Sequence, residues 1–225
     1  MPAADELIAH PRTFLRANVM MVSSTTANLT AGGEQSFSLE LAGGNTARNM
    51  LLPNTPAMPV YVLKPYTGAG TEVKAWWCPF AMNDWKGTTL PGVGGSNMMF
   101  TYLMDGCTFA AGSRTGNGSV TVHHINTSNA GVSAAAFGED VAREQQRKLQ
   151  RNIAKSLVTG AETIDPDDYY DPAKALVPIP PGAKIATVSF GRRGSGGVWK
   201  FYTHQWYTVP GARQSLCFIG TQRVI

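Results

Sequence analysis

The sequence predicts an α+β fold with a β-sandwich core of mixed and antiparallel strands and flanking helices. Charged residues make up only 15% of the chain, which contains 24 glycines and 14 prolines. That composition is typical of many strands joined by tight turns. Apolar side chains also alternate with a period of two, as in residues 119–126, whereas one later stretch has the helical period.

A chain of 225 residues is long enough to bury one sizeable core, so we expect a single domain over residues 1–225. The helical pattern lies at about 137–158, where the apolar positions form one stripe: Phe137, Val141, Leu149, Ile153 and Leu157. This segment stands between predicted strands and is therefore interpreted as a helical excursion. A shorter helical pattern in residues 1–17 is interrupted by Pro11.

The predicted strands are separated by glycine pairs and glycine/proline loops, and they cover residues 18–23, 35–41, 50–52, 60–63, 72–80, 97–104, 119–126, 183–190, 197–209 and 214–224. The pairs Gly32-Gly33 and Gly43-Gly44 are typical of turns. Residues 87–96 are predicted to form a glycine- and proline-rich loop.

Composition also argues against several classes of function. The net charge of +4 is too small to indicate nucleic acid, and no run approaches the roughly 18 apolar residues of a membrane span. Three widely spaced cysteines give neither a disulfide framework nor a zinc pattern. We therefore expect no cofactor and no metal, and we interpret the acidic string 165–172 as a solvated loop rather than a metal site.

Cys107 is the strongest candidate for chemistry. It follows a predicted strand and comes directly after Gly106, while His123 and His124 stand 16 and 17 residues downstream. The intervening residues 113–118 are typical of a hairpin turn, which would bring the thiol close to one of these histidines. An imidazole beside a thiol activates it as a nucleophile. Spacing alone is a weak signal and leaves open that Cys107 is a buried structural cysteine.

The segment from Phe100 to Cys107, followed by Val-His-His-Ile-Asn at 122–126, resembles the active-site region of a family of glutamine-deamidase toxins. The family includes Burkholderia lethal factor and the catalytic domains of the cytotoxic necrotizing factors. Its signature is a Leu-Ser-Gly-Cys turn and then a strand that carries the histidine. The Trp-Trp-Cys-Pro-Phe segment at 76–80 and the late strands around 188–192 and 199–202 also resemble the family.

The resemblance implies a β-sandwich with flanking helices and an enzyme that converts a glutamine of a target protein to glutamate through a cysteine thioester. It implies a nucleophile at Cys107, a histidine at His124 and an assisting threonine at Thr101. The implied partner is a protein substrate, such as a host translation-initiation helicase or a small GTPase. We expect a monomeric bacterial toxin or effector without a signal peptide, either cytoplasmic in its producer or delivered to the cytosol of a target cell.

Two features depart from the family pattern. Asp105 stands where the family has serine, and a carboxylate beside a thiol would raise the pKa of that thiol. The longer loop between the cysteine and the histidines leaves His123 open as the alternative base. The two histidines alternate on one strand, so they point to opposite faces and only one can serve.

Two other classes of function stay open. Another thiol enzyme with a Cys–His pair, of the transglutaminase or protease type, would need a third group that orients the histidine. A non-enzymatic β-sandwich binding module would leave Cys107 structural. We expect a nucleophilic cysteine to alkylate rapidly near neutral pH and a structural one to resist.

Overall fold

The computed structural model describes residues 2–127, 139–169, 177–180, 183–208 and 216–224. The helices are α1 (Ala3–Ala9), α2 (Pro11–Ala17), α3 (Glu139–Leu157) and α4 (Pro166–Tyr169), with a 3₁₀ helix at Ser24–Asn28. Pro11 begins α2 instead of ending a helix, because the first helical position needs no N–H donor. Phe137, at the predicted start of the long helix, lies outside the described residues, as do residues 170–172 of the acidic string.

The described residues contain twelve strands: β1 (Val19–Val22), β2 (Gly33–Asn49), β3 (Met58–Pro65), β4 (Val73–Cys78), β5 (Trp85–Leu90), β6 (Met98–Met104), β7 (Thr108–Ala111), β8 (Val120–Ile125), β9 (Glu162–Ile164), β10 (Lys184–Arg193), β11 (Trp199–Thr208) and β12 (Leu216–Arg223). With a few helices around two sheets, the predicted α+β class is confirmed.

The larger sheet has eight strands in the order β1-β3-β2-β12-β11-β10-β6-β4 and combines parallel and antiparallel pairs. Its long strand β2 pairs with β3 and β12 and, through its first residues, also with β4. The sheet therefore curves back on itself around a core that includes Phe37, Trp77 and Phe100. Leu7 and Phe14 of the two N-terminal helices pack into the same core.

The smaller sheet has the order β5-β8-β7-β9 and packs against the larger one. The apolar layer between them takes Met99 and Phe201 from the larger sheet and Leu90, Phe109 and Val122 from the smaller one. Two sheets packed face to face are the arrangement expected of a sandwich. On its other face, the smaller sheet is covered by α3 through a cluster that contains Ala110, Ile125 and Ala154.

Three local predictions are wrong. Gly43-Gly44 lies within β2, where a register shift between Leu41 and Thr46 absorbs the glycine pair as an irregularity in the strand. The predicted strand 50–52 is a turn, because the Asn49 side-chain oxygen accepts hydrogen bonds from the next backbone N–H groups, at Leu51 and Leu52.

The first part of the predicted loop 87–96 belongs to strand β5. Gly87 lies opposite His123 in the β5–β8 pairing, and a Cβ on Gly87 would come within 2.5 Å of the His123 ring. Glycine at this position therefore makes room for a side chain on the neighbouring strand. Among the described helices, none combines the length and the apolar character needed to cross a lipid bilayer.

Trp77 and Trp85 allow a matched test of the core. Trp77 is fully buried against Phe37 and donates its indole N–H to the Leu29 carbonyl, whereas Trp85 is 44% exposed. We expect Trp77→Ala to lower the free energy of unfolding by about 3–5 kcal/mol and Trp85→Ala by less than about 1 kcal/mol. Denaturant unfolding of both variants measures this difference, and equal losses would contradict the assigned core.

Candidate functional site

The turn that carries Cys107 is held by two helices. Gly106 has a φ of +133°, a conformation that side chains disfavour, so glycine is required between β6 and β7. The Gly106 N–H donates to the Tyr169 hydroxyl at 3.1 Å, and that hydroxyl donates to the Cys107 carbonyl at 2.6 Å. The α4 tyrosine thus clamps the backbone on both sides of the Gly106–Cys107 peptide.

Gln150 of α3 forms a second clamp on the same turn. Its amide N–H donates to the Gly106 carbonyl at 3.1 Å, and its amide oxygen accepts from the Thr108 hydroxyl at 2.7 Å. Gln150 and Thr108 are fully buried, so these bonds form away from water, where leaving them unmade would be costly. The position of Cys107 therefore depends on side chains far away in sequence.

The two histidines lie on opposite faces of β8. Phe109 pairs with His124 and Ala110 with His123 in the β7–β8 hairpin. Cys107 belongs to the same apolar cluster as Phe109 and Val122, so its side chain is on the face of the sheet that carries His124. His123 faces the α3 side, and burial lowers its pKa. The structure thus brings His124, rather than His123, to the thiol's side of the sheet.

A hydrogen bond between the two sheets fixes the His124 ring. Thr101 of β6 in the larger sheet places its hydroxyl oxygen 2.6 Å from His124 Nδ1 in the smaller sheet. Both side chains are fully buried. The other ring nitrogen, Nε2, is buried and has no hydrogen-bond partner among the described residues.

Cys78 extends this hydrogen bond into a chain with a defined direction. It pairs with Thr101 in the β4–β6 register, and its thiol lies 3.9 Å from the Lys86 carbonyl, which can only accept. Burial raises the pKa of Cys78 to about 12, and a hydrogen bond with the Thr101 side chain partly offsets the rise.

Because the Lys86 carbonyl can only accept, it determines which atom is the donor in each hydrogen bond of that chain. The Cys78 S–H is directed to the Lys86 carbonyl, and the hydrogen bond that lowers the pKa of Cys78 makes Thr101 the donor to its sulfur. With the Thr101 proton used in this way, His124 Nδ1–H is left as the donor to the Thr101 oxygen. This order assigns the proton of the neutral ring to Nδ1. It leaves the lone pair of Nε2 as a proton acceptor on the face that holds Cys107.

His204 provides a contrast within the same fold. It is also fully buried, and burial lowers the pKa of both His204 and His124 to about 3. The Met20 N–H donates to His204 Nε2 at 3.0 Å, and Nδ1 lies 2.8 Å from the Thr221 hydroxyl. Both nitrogens of His204 are used structurally, whereas His124 keeps one nitrogen unoccupied among the described residues.

The environment of Cys107 opposes ionisation at rest. The side chain is only 3% exposed, and burial raises the pKa of its thiol to about 12. The charge of the exposed Asp105 carboxylate adds to that rise, as the sequence predicts for a carboxylate at this position. Hydrogen bonds with the Asp105 backbone and the Asn126 side chain partly offset it. The resting thiol should therefore alkylate slowly, contrary to the expectation from the sequence.

An aromatic side chain separates His124 from solvent. The partly exposed Phe80 ring meets the imidazole edge-on at a centroid distance of 5.1 Å and also contacts Tyr102 at 5.2 Å. Phe80 lies in the connection between β4 and β5, where Met82 is exposed and Asn83 has a positive φ of 56°. A partly exposed aromatic residue of a surface loop therefore packs against the buried imidazole.

The described part of the acidic string forms ion pairs with α3 and is not the solvated loop that the sequence predicts. Asp165 is buried and accepts from Arg151 at 2.6 Å, while Asp167 pairs with Arg147 and Arg151 of α3. These ion pairs hold α4, and with it Tyr169, against α3. No cluster of three potential metal ligands occurs within the described ranges.

Sequence reasoning missed four residues that surround the candidate site: Tyr169, Gln150, Asn126 and Cys78. Asn126 stands opposite Cys107, one step beyond the Thr108–Ile125 pair, which the β7–β8 register alone reveals. Tyr169 lies within the acidic string 165–172, and nothing in that charge pattern indicates a contact with the Cys107 turn.

Comparison with solved structures gives a distant likeness. No established family profile matches the chain, and no curated protein matches its sequence. Among solved structures, it is similar to the C-terminal domain of CNFy from Yersinia pseudotuberculosis, with a TM-score of 0.38 and 9% identity. The similarity covers 99% of this chain and 96% of that one. Such a likeness does not establish a family, so function is argued from the site itself.

The charge of Asp105 can be tested through the reactivity of Cys107. Removing a nearby negative charge lowers the pKa of the thiol, so Asp105→Asn should speed iodoacetamide alkylation of Cys107 about two- to fivefold at low salt. Peptide mapping by mass spectrometry follows Cys107 separately from the other two cysteines. Glu40→Gln, an exposed carboxylate on β2, serves as the matched control and should change nothing. An unchanged rate in Asp105→Asn, or rapid alkylation of the wild type, would contradict this electrostatic account.

Proposed function

We propose that this chain is a protein-glutamine deamidase in which Cys107 is the nucleophile and His124 the general base and acid. The observation that carries the proposal is the arrangement of His124, with Nδ1 bonded to Thr101 and Nε2 without a hydrogen-bond partner in the part of the chain that the structure describes. A base held by a third group and left with an open nitrogen is the arrangement that nucleophilic catalysis requires.

The first half of the reaction forms a thioester. The Cys107 sulfur attacks the carboxamide carbon of a substrate glutamine while its proton passes to His124 Nε2. The carbonyl oxygen becomes an oxyanion, and His124 then donates the proton to the departing nitrogen as the C–N bond breaks. Ammonia leaves, and the acyl group stays on the sulfur.

The second half restores the enzyme. Water gives a proton to His124 Nε2 and attacks the thioester carbon, and the C–S bond then breaks as the proton returns to Cys107. The glutamine carboxamide has become a carboxylate, with one water consumed and one ammonia released. The target protein gains a negative charge, which can disable contacts or chemistry that depend on that glutamine.

Asn126 is the best-placed donor for the oxyanion. Its side-chain amide already hydrogen-bonds the Cys107 thiol. The nearby backbone N–H of Gly106 already donates to the Tyr169 hydroxyl. An amide donor beside the nucleophile stabilises charge that develops on the substrate oxygen as the sulfur attacks. Asn126 therefore acts as an electrophilic group rather than as the residue that orients histidine.

The burial of both groups explains why the resting pair is inert. Desolvation raises the pKa of Cys107 to about 12 and lowers that of His124 to about 3, so proton transfer between them is strongly uphill. Displacing Phe80 would let the polar carboxamide and water enter, and both pKa values would then move back toward their ordinary range. Substrate binding thus activates the nucleophile, which protects the thiol from adventitious reaction.

The substrate is a protein, and the proposed biological role is that of a bacterial toxin or effector acting in the cytosol of a target cell. The other thiol enzymes remain rivals because Thr101 supplies the third group that they also need. They differ in the acceptor of the acyl group: a transglutaminase passes it to an amine, whereas a deamidase passes it to water.

The test is mass spectrometry of eukaryotic cell lysate incubated with the purified chain, with glutamine-to-glutamate conversion as the readout. We expect conversion with wild type and with His123→Ala, and its loss with Cys107→Ser and His124→Gln. His124→Gln keeps a polar side chain in a buried position, and circular dichroism checks that it folds. His123→Ala is the matched control because it removes the adjacent imidazole on the opposite face.

A parallel incubation with biotin-cadaverine distinguishes the rivals. Amine incorporation in place of conversion would identify a transglutaminase, and cleaved substrates would identify a protease. Conversion that persists in Cys107→Ser, or that depends on His123 instead of His124, would overturn the proposal.

A further inference from the structure

A second cleft lies at the opposite end of β6 from Cys107. It has a volume of about 700 Å³ and is lined by residues of α1 and of three loops, those after β5, β7 and β10. The volume falls within the range of about 300–1,000 Å³ that is usual for ligand sites. Met98 at the cleft and Met104, three residues before Cys107, are the two ends of β6, and about 20 Å separates them at 3.3 Å per residue.

The three loops meet through glycines that cannot be replaced without movement. A Cβ on Gly92 would lie 2.7 Å from the Asn117 carbonyl oxygen, and a Cβ on Gly197 would lie 2.6 Å from the Gly92 carbonyl oxygen. Gly197 also has a φ of +71°. The backbones of all three loops are therefore in direct contact, and together they form the base of the cleft.

The cleft is electropositive. Its lining contains Arg114, Arg192 and Arg193 and no aspartate or glutamate. Arg193 is buried, and its guanidinium donates to the Pro91 and Gly95 carbonyls at 2.8 and 3.0 Å, so its described partners are neutral. Arg114 and Arg192 are exposed and form no ion pair among the described residues.

Like charges also face each other beside the cleft. Arg192 of β10 stands directly opposite Lys200 of β11, and both are exposed. Two cations at directly opposed positions of an antiparallel pair destabilise the sheet. A bound anion would relieve that repulsion, so the charges on this surface favour the binding of an anion.

Apolar side chains rim the same cleft. Val93 is 80% exposed and Ile8 is 46% exposed, and both line it. A bare inorganic anion would leave these side chains in water, whereas a peptide with an apolar residue beside a carboxylate would cover them and meet the arginines. We propose that this cleft docks an acidic, partly apolar segment of a partner protein.

The proposal stands on the cleft alone and does not require the chain to be a deamidase. In a deamidase, the cleft would hold a segment of the substrate at the opposite end of β6 from the nucleophile. Docking at a distance would then contribute to the choice of target, because binding energy far from the reacting atoms also selects a substrate.

The test is fluorescence anisotropy with a labelled hexapeptide of alternating glutamate and leucine, using the full chain as Cys107→Ser so that no turnover interferes. We expect the double variant Arg114→Ala/Arg192→Ala to weaken binding at least about tenfold, since charge-assisted bonds to two guanidinium groups are lost. Val93→Glu should also weaken binding, through repulsion at the exposed rim.

Two controls make the result decisive. Arg16→Ala/Arg48→Ala removes the same charge from exposed positions outside the lining and should keep the wild-type affinity. A lysine–leucine hexapeptide should not bind. The proposal is overturned if the control double variant loses as much affinity as the cleft variant. Equal binding of the lysine peptide, or full displacement by equimolar inorganic phosphate, would overturn it as well.

Discussion

The hydrogen bond between Thr101 and His124 is the interaction on which the candidate site depends, because it joins the two sheets at the point where the chemistry is proposed. Thr101 belongs to the larger sheet and His124 to the smaller one. Any relative shift of the layers would break a buried polar contact, and an unmade buried hydrogen bond is costly. The packing of the two sheets and the orientation of the His124 ring therefore depend on the same hydrogen bond.

Burial at this interface has two opposite consequences. It holds the imidazole in one tautomer through the Thr101–Cys78–Lys86 chain, and it also suppresses the charged forms of both reacting groups. His204 shows what burial does when both ring nitrogens are satisfied: the ring becomes part of the framework. His124 differs in one ring nitrogen that has no partner among the described residues and in its partly exposed aromatic neighbour, Phe80. The Thr101–Cys78–Lys86 chain thus holds the His124 ring in place, whereas Phe80 covers the ring from the solvent side.

The sequence predicts what depends on local pattern. Alternation along 119–126 correctly places His123 and His124 on opposite faces, and the β-rich α+β class follows from composition and periodicity. The pattern does not show which face carries the thiol, because that depends on the register of β7 against β8. It also misses the clamps on the Cys107 turn, since Tyr169 and Gln150 reach it from helices 62 and 44 residues away from their partners. Such contacts exist only after the layers assemble.

The most direct measurement of the central claim is nitrogen-15 NMR of the histidine-labelled chain, with His124 assigned from the His124→Gln spectrum. The account predicts a neutral His124 ring that is protonated at Nδ1 and unprotonated at Nε2 from about pH 8 down to about pH 4, because burial lowers its pKa to about 3. Thr101→Val should remove the preference between the two nitrogens. A proton on Nε2 in the wild type, or a titration of His124 near its ordinary pKa of 6.5, would contradict the account.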